Sequence, residues 1–136
     1  MIVDASAVVE ILFGSDIYQN IMEKVTSGEI RLRTSEAVKF EVCDSLIKKE
    51  DMGSEILQEL LPLTLRFLDH ITTKMNSDQL SKAVELSKAL NLNFSSATCV
   101  ILALSLGDVY VTADRSISNK LKKEGYPVLH LDELIF

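Results

Sequence analysis

The sequence is short of the residues that build covalent and soft-metal scaffolds: it has two cysteines and two histidines in 136 residues. Cys43 and Cys99 each fall inside a helical pattern, with no CxxC and no Cys/His neighbour at ligand spacing, which excludes a zinc ribbon or a disulfide framework. Both are expected to be reduced thiols in the core. His70 and His130 stand alone and read as packing or strand-surface residues, so no Cys/His or Ser/His constellation for nucleophilic catalysis is present. Long hydrophobic runs are also missing. The longest uncharged apolar stretch, 97–107, falls far below the roughly 20 residues of a membrane span, and no basic leader precedes the first apolar run. A cytoplasmic protein with no membrane contact is expected.

Positive charge is scarce: 14 Lys and Arg face 20 Asp and Glu, for a formal net charge of −6. That balance excludes a protein that coats nucleic acid over its whole surface, because such binding depends on counterion release by many basic side chains. It leaves a nuclease open. Acids gathered in a metal site lower the net charge, while short clusters such as Arg31/Arg33, Lys48/Lys49 and Lys120/Lys122/Lys123 can still meet phosphates; taken singly, each reads as a solvated face. Gly/Ser linkers, low-complexity segments and internal repeats are lacking too, so residues 1–136 read as a single domain.

What is present is an average globular composition, 47% apolar and 25% charged, in which short β-branched runs alternate with helical periodicity. Strands are predicted at Ile2-Val3, Ile30–Arg33, Ile71–Thr73, Val109–Ala113 and Pro127–Leu131. Between them, helices are predicted over Ala5–Phe13, from a Ser15-Asp16 cap to Gly28, from Ser35 to about Glu50, and from Gly53 to about Leu68 with a break at Pro62. Three more follow, one capped by Ser77, one over Ala97–Leu106 that is apolar nearly all round, and one over Ile117–Glu124. This alternation implies a three-layer α/β/α fold around a parallel sheet of about five strands.

Sites in such sheets form beyond the carboxyl ends of the strands. Asp4 ends the first strand and Asp114 ends "VYVTAD", two separate carboxylates on one rim. Each has a plain alternative as the cap of the helix that follows. Glu41, in "SEAVKFEVCDSLIKK", has small and apolar neighbours at Ala37 and Val38, and Asp44 lies one turn beyond it. Carboxylates converging without His or Cys suit Mg²⁺ or Mn²⁺, and the matching chemistry is metal-assisted phosphodiester hydrolysis. A phosphatase of similar build would need a second acid two residues after Asp4, where Ser6 stands.

"IVDASAVVEIL", "SEAVKFEVCDSL" and "SSATCVILALSLGDVYVTADRSI" together resemble the PIN domain, in particular the small VapC-type nucleases of toxin–antitoxin pairs. The resemblance covers essentially the whole chain, with the three motifs in order. It implies a sheet of about five strands between helices and an acidic pocket that binds Mg²⁺ or Mn²⁺ and cuts RNA with a metal-activated water. Carried onto this sequence, it makes Asp4, Glu41 and Asp114 metal ligands or holders of ligand waters, with Ser6, Asp44 and Ser116 as polar support. One position departs: counting back from Gly107, Ser96 stands where the family pattern has an Asp. A carboxylate about 4 Å from a divalent ion is worth on the order of 8 kcal/mol gross at an effective dielectric of about 20, and the hydration it loses offsets most of that. Ser96 supplies a neutral oxygen only, and Ser95 or Ser96 also reads as the cap of the helix it precedes.

Two functions are therefore carried forward. One is a metal-dependent endoribonuclease acting as a toxin, with an antitoxin protein and a second copy of the chain as partners. The other is a degenerate domain that binds RNA or protein without cutting. Residues 56–68, "ILQELLPLTLRFL", hold more apolar side chains than one buried stripe requires; core packing is the default reading, and a groove for an antitoxin segment or a second subunit is the alternative that the resemblance implies.

Overall fold

The computed structural model describes residues 1–49 and 52–134. The first strand, β1 (Ile2–Val3), runs into α1 (Ala5–Phe13); a 3-10 turn over Asp16–Tyr18 leads into α2 (Gln19–Thr26). Then come β2 (Thr34–Ser35), α3 (Glu36–Ile47), α4 (Ser54–Ile71) and β3 (Thr72–Thr73). An α-hairpin follows, α5 (Ser77–Leu90) and α6 (Phe94–Leu106), and the chain closes with β4 (Tyr110–Thr112), α7 (Arg115–Lys123) and β5 (Val128–His130).

The α/β class holds, but the sheet is smaller than expected. The main sheet has three parallel strands, in the order β1-β4-β5, and β2 and β3 form a separate two-stranded parallel ladder. Strand length explains the split. β1 is two residues long, and among the described residues its backbone pairing toward β2 is the isolated bridge of Ile2 with Arg33. The carbonyl of Val3, which a further rung would use, accepts the Thr34 hydroxyl at 2.6 Å instead. β2 also starts later than the Ile30–Arg33 prediction, because the amide of Ile30 donates back to the Lys24 carbonyl at 3.1 Å and extends the turn after α2.

The main strands are buried on both faces, as a parallel sheet requires: Ile2, Val3, Tyr110, Val111 and Thr112 are all buried. α6 explains much of this. Every residue from Ser96 to Ala103 is buried, so the helix apolar nearly all round is the central one, with α5 and the sheet against it. Asn91 ends α5 in the left-handed region, at φ 52°, where an Asn is tolerated and the chain can double back at once.

The helix starts differ from the sequence reading in a consistent way. α5 is capped by Asn76 in a reciprocal box with Gln79, not by Ser77, and α6 by Asn93, which accepts the Ser96 amide at 2.7 Å, not by Ser95 or Ser96. In both cases an upstream carboxamide reaches the third amide of the helix and starts it earlier than the sequence reading, by one residue in α5 and three in α6. α7 likewise begins directly after Asp114, and Ser15 makes no side-chain cap. α4 runs unbroken through Pro62 and three residues past Leu68. Pro62 and Gln58 are both exposed, so the carbonyl left without an amide donor lies on the water side. The predicted end of α3 at Glu50 lies outside the described residues; among those described, α3 stops at Ile47.

Candidate functional site

Asp4 leaves the sheet where β1 ends and caps α1, so the cap and the rim acid are one residue. Its Oδ1 accepts the Ser6 hydroxyl at 2.7 Å and the Ala7 amide at 2.9 Å, and its Oδ2 accepts the Tyr110 hydroxyl at 2.6 Å. Asp4 is only 3% exposed. A carboxylate this buried is tolerable because its two oxygens take three directed hydrogen bonds.

Ser6 extends the network to the neighbouring strand. Having given its one proton to Asp4, it accepts the Ala113 amide at 2.9 Å and must accept from the Thr112 hydroxyl, 3.2 Å away. The Thr112 hydroxyl in turn accepts the Asp114 amide at 3.1 Å. The ends of β1 and β4 are thus tied into one rim by Asp4, Ser6 and Thr112. From the far side, the His130 ring accepts the Asp132 amide on Nδ1 at 3.1 Å, which leaves Nε2 to donate to the Ala113 carbonyl, also at 3.1 Å. Asp114 itself is exposed and accepts the Ile117 amide at 3.1 Å as the cap of α7, and Ser116 is exposed in the first turn of that helix.

Glu41 is half-buried on α3 and, with Asp44, lines a cavity of about 520 Å³. Phe40, Met75, Leu80 and Phe94 give this cavity apolar walls, and Asn93 and Ser95 add polar groups. The Ser95 hydroxyl is the one buried side-chain oxygen or nitrogen among the described residues without a hydrogen-bond partner. Cys99 is fully buried, and burial pushes its thiol well above the usual range, with the charges of Asp4 and Glu41 adding to the rise. Cys43 is half-buried, and neither cysteine is in a disulfide.

The acids are not gathered as tightly as the sequence reading places them. Asp44 shares the cavity with Glu41, Asp4 is buried at the end of β1 and is not part of that cavity's lining, and Asp114 is exposed on the rim. Among the described residues, no group of three or more His, Cys, Asp or Glu is placed to cage a metal ion. The donor set fits a hard cation in kind. Mg²⁺ commonly takes one or two carboxylates and completes its shell with waters and substrate phosphates, and Asp4, Glu41 and the unpartnered Ser95 hydroxyl are oxygen donors of that sort.

Tyr110, Thr112 and Asn93 are missing from the sequence reading. Tyr110 was the findable one, because a tyrosine inside a buried strand must find a partner for its hydroxyl. Burial pushes Tyr110 well above its ordinary pKa, the Asp4 charge adds to that, and the Ser96 hydroxyl beside the phenol acts the other way. Ser96 is itself buried.

A family model described as "PIN domain" matches residues 1–123. No curated protein matches this chain. Among solved structures, the crystal structure of PAE2754 from Pyrobaculum aerophilum is similar, with a TM-score of 0.66 at 22% identity over 98% of this chain and 92% of the other.

Proposed function

The chain belongs to the PIN domain family, whose members are generally nucleases, and from that premise we propose that it is a metal-dependent endoribonuclease acting at the carboxyl rim of its sheet. The observation that supports this reading is the hydrogen-bonded tie between the ends of β1 and β4, which holds Asp4 and the Asp114 turn in fixed relation. Asp4 and Glu41 would hold Mg²⁺ or Mn²⁺, with Asp114 holding ligand waters. When bound, the ion lowers the pKa of a water and polarises the phosphodiester.

The chain's own residues do the positioning. Ser6 orients Asp4, and Thr112 and His130 hold the turn that carries Asp114. Asp44 and Ser116 are polar support, and Ser96 offers a neutral oxygen where the resemblance has an acid. The Ser95 hydroxyl, buried in the cavity wall without a protein partner, would hold a water there. The proposed role is that of the toxin in a toxin–antitoxin pair, cytoplasmic and homodimeric. Exposed Phe40 and Ile47 on α3, and Ile56 and Leu63 on α4, are the surfaces offered to an antitoxin or a second copy. Among the described residues no helix is long and apolar enough to cross a membrane.

The test is cleavage of single-stranded RNA in Mn²⁺ by wild type and Asp4→Asn. Cleavage that requires metal and is lost in the variant is expected; undiminished cleavage by the variant, or in excess EDTA, rejects the reading. A second reading is favoured by Ser96 and by the Tyr110 hydroxyl on Asp4. It is a domain that holds RNA or protein without cutting, recognised by binding without turnover at millimolar metal and by cleavage that appears in Ser96→Asp.

A further inference from the structure

Asp4, Ser96 and Tyr110 are 3%, 2% and 1% exposed and meet in the interior just below the rim. Tyr110 projects from the middle strand of the main sheet, and its hydroxyl donates to Asp4 Oδ2 at 2.6 Å. That distance is at the short end for O–H donors and suits a bond to an ionised carboxylate. Oδ1 is already held by Ser6 and Ala7, so all the directed donation Asp4 receives from its surroundings is complete without an ion. The Ser96 hydroxyl lies against the phenol. A carboxylate in place of Ser96 would set a second negative charge beside Asp4.

We propose that Tyr110 is an internal lock on the cation position: its hydroxyl donates to Asp4 Oδ2 and competes with a divalent ion for that oxygen, and Ser96 receives it on release. The inference rests on the reading of Asp4 as a cation ligand. An ion bound at Oδ2 shares that oxygen with the donated phenol hydrogen, which weakens its attraction, and a phenol pushed aside must keep a partner or leave an unsatisfied group behind. Ser96 is the acceptor at hand. Tyr110 is thus a positioning residue that sets how readily the site loads, without touching RNA.

Calorimetric titration with Mn²⁺ on wild type, Tyr110→Phe and Asp4→Asn/Tyr110→Phe tests this. Tyr110→Phe keeps the ring and removes only the donor. It is expected to bind Mn²⁺ at least tenfold more tightly than wild type, a difference of about 1.4 kcal/mol, and the gain should vanish in the double variant. Equal affinity of wild type and Tyr110→Phe overturns the lock and leaves Asp4 as a ligand. A gain that survives in the double variant overturns the ligand reading itself. Paramagnetic broadening gives a second readout: as Mn²⁺ is added, the amide signals of Asp4 and Val111 should broaden at lower Mn²⁺ in Tyr110→Phe than in wild type, and the same dependence in both overturns the lock.

Discussion

The Nε2–H of His130 donates to the carbonyl of Ala113 at 3.1 Å, while the amide of the same Ala113 donates to Ser6. The peptide groups just before Asp114 are therefore gripped from β5 on one side and from α1 on the other. The position of the rim acid is thus fixed by hydrogen bonds from two different elements.

Ser6→Ala should be costly for so small a change. It removes a donor from buried Asp4 and strips the Ala113 amide of its acceptor, and leaving a buried polar group unsatisfied costs about 1–3 kcal/mol. Urea unfolding should show a lower midpoint with an unchanged slope. Loss of activity at saturating metal should accompany it.

Asp4→Asn should separate the cap from the site. The carboxamide oxygen still accepts the Ala7 amide, and the amide group can donate to the Tyr110 oxygen. The thermal midpoint should fall by only a few degrees, on the order of 1 kcal/mol, while Mn²⁺-dependent RNA cleavage is lost.

Tyr18 makes stability fall in alkali. Its hydroxyl donates to Asp132 at 2.8 Å, and that bond, with burial and the Asp132 charge, raises its pKa to about 12. A group raised in the folded state binds its proton more firmly there than in the unfolded chain, so its contribution is complete below pH 10 and lost between 10 and about 12. Unfolding free energy measured across that window should decline more steeply in wild type than in Tyr18→Phe.

Pro62→Ala should stabilise the chain. Pro is about 3 kcal/mol less favourable than Ala inside a helix, and the stiffer unfolded chain returns roughly 1 kcal/mol of that. Because α4 continues through the exposed Pro62, a gain of about 1–2 kcal/mol is expected in chemical denaturation.

The sequence carried the class, the helices and the two strand-end acids, because each rests on short-range pattern: β-branched pairs, apolar periodicity, and an acid directly after a strand. It did not carry the division of the sheet. Whether a rung forms between β1 and β2 depends on Thr34 turning its hydroxyl onto Val3, a choice made by tertiary placement. "NLNFSS" offers several capping residues in a row, and the one that caps is decided by how tightly α5 turns back at Asn91. The link from Asp4 to Tyr110 spans more than a hundred residues, and no local periodicity reports it.

The unbroken burial from Ser96 to Ala103 sets a gradient of opening along α6. Amides beneath the sheet can exchange with solvent water only when much of the domain comes apart, so Cys99 to Leu102 should be among the slowest to take up deuterium. The first turn hangs on the exposed Asn93 cap and will breathe at far lower free energy. Ser96 sits at the boundary between these two regimes, so the rate at which its surroundings loosen sets the fastest rate at which anything can reach Asp4 from that side.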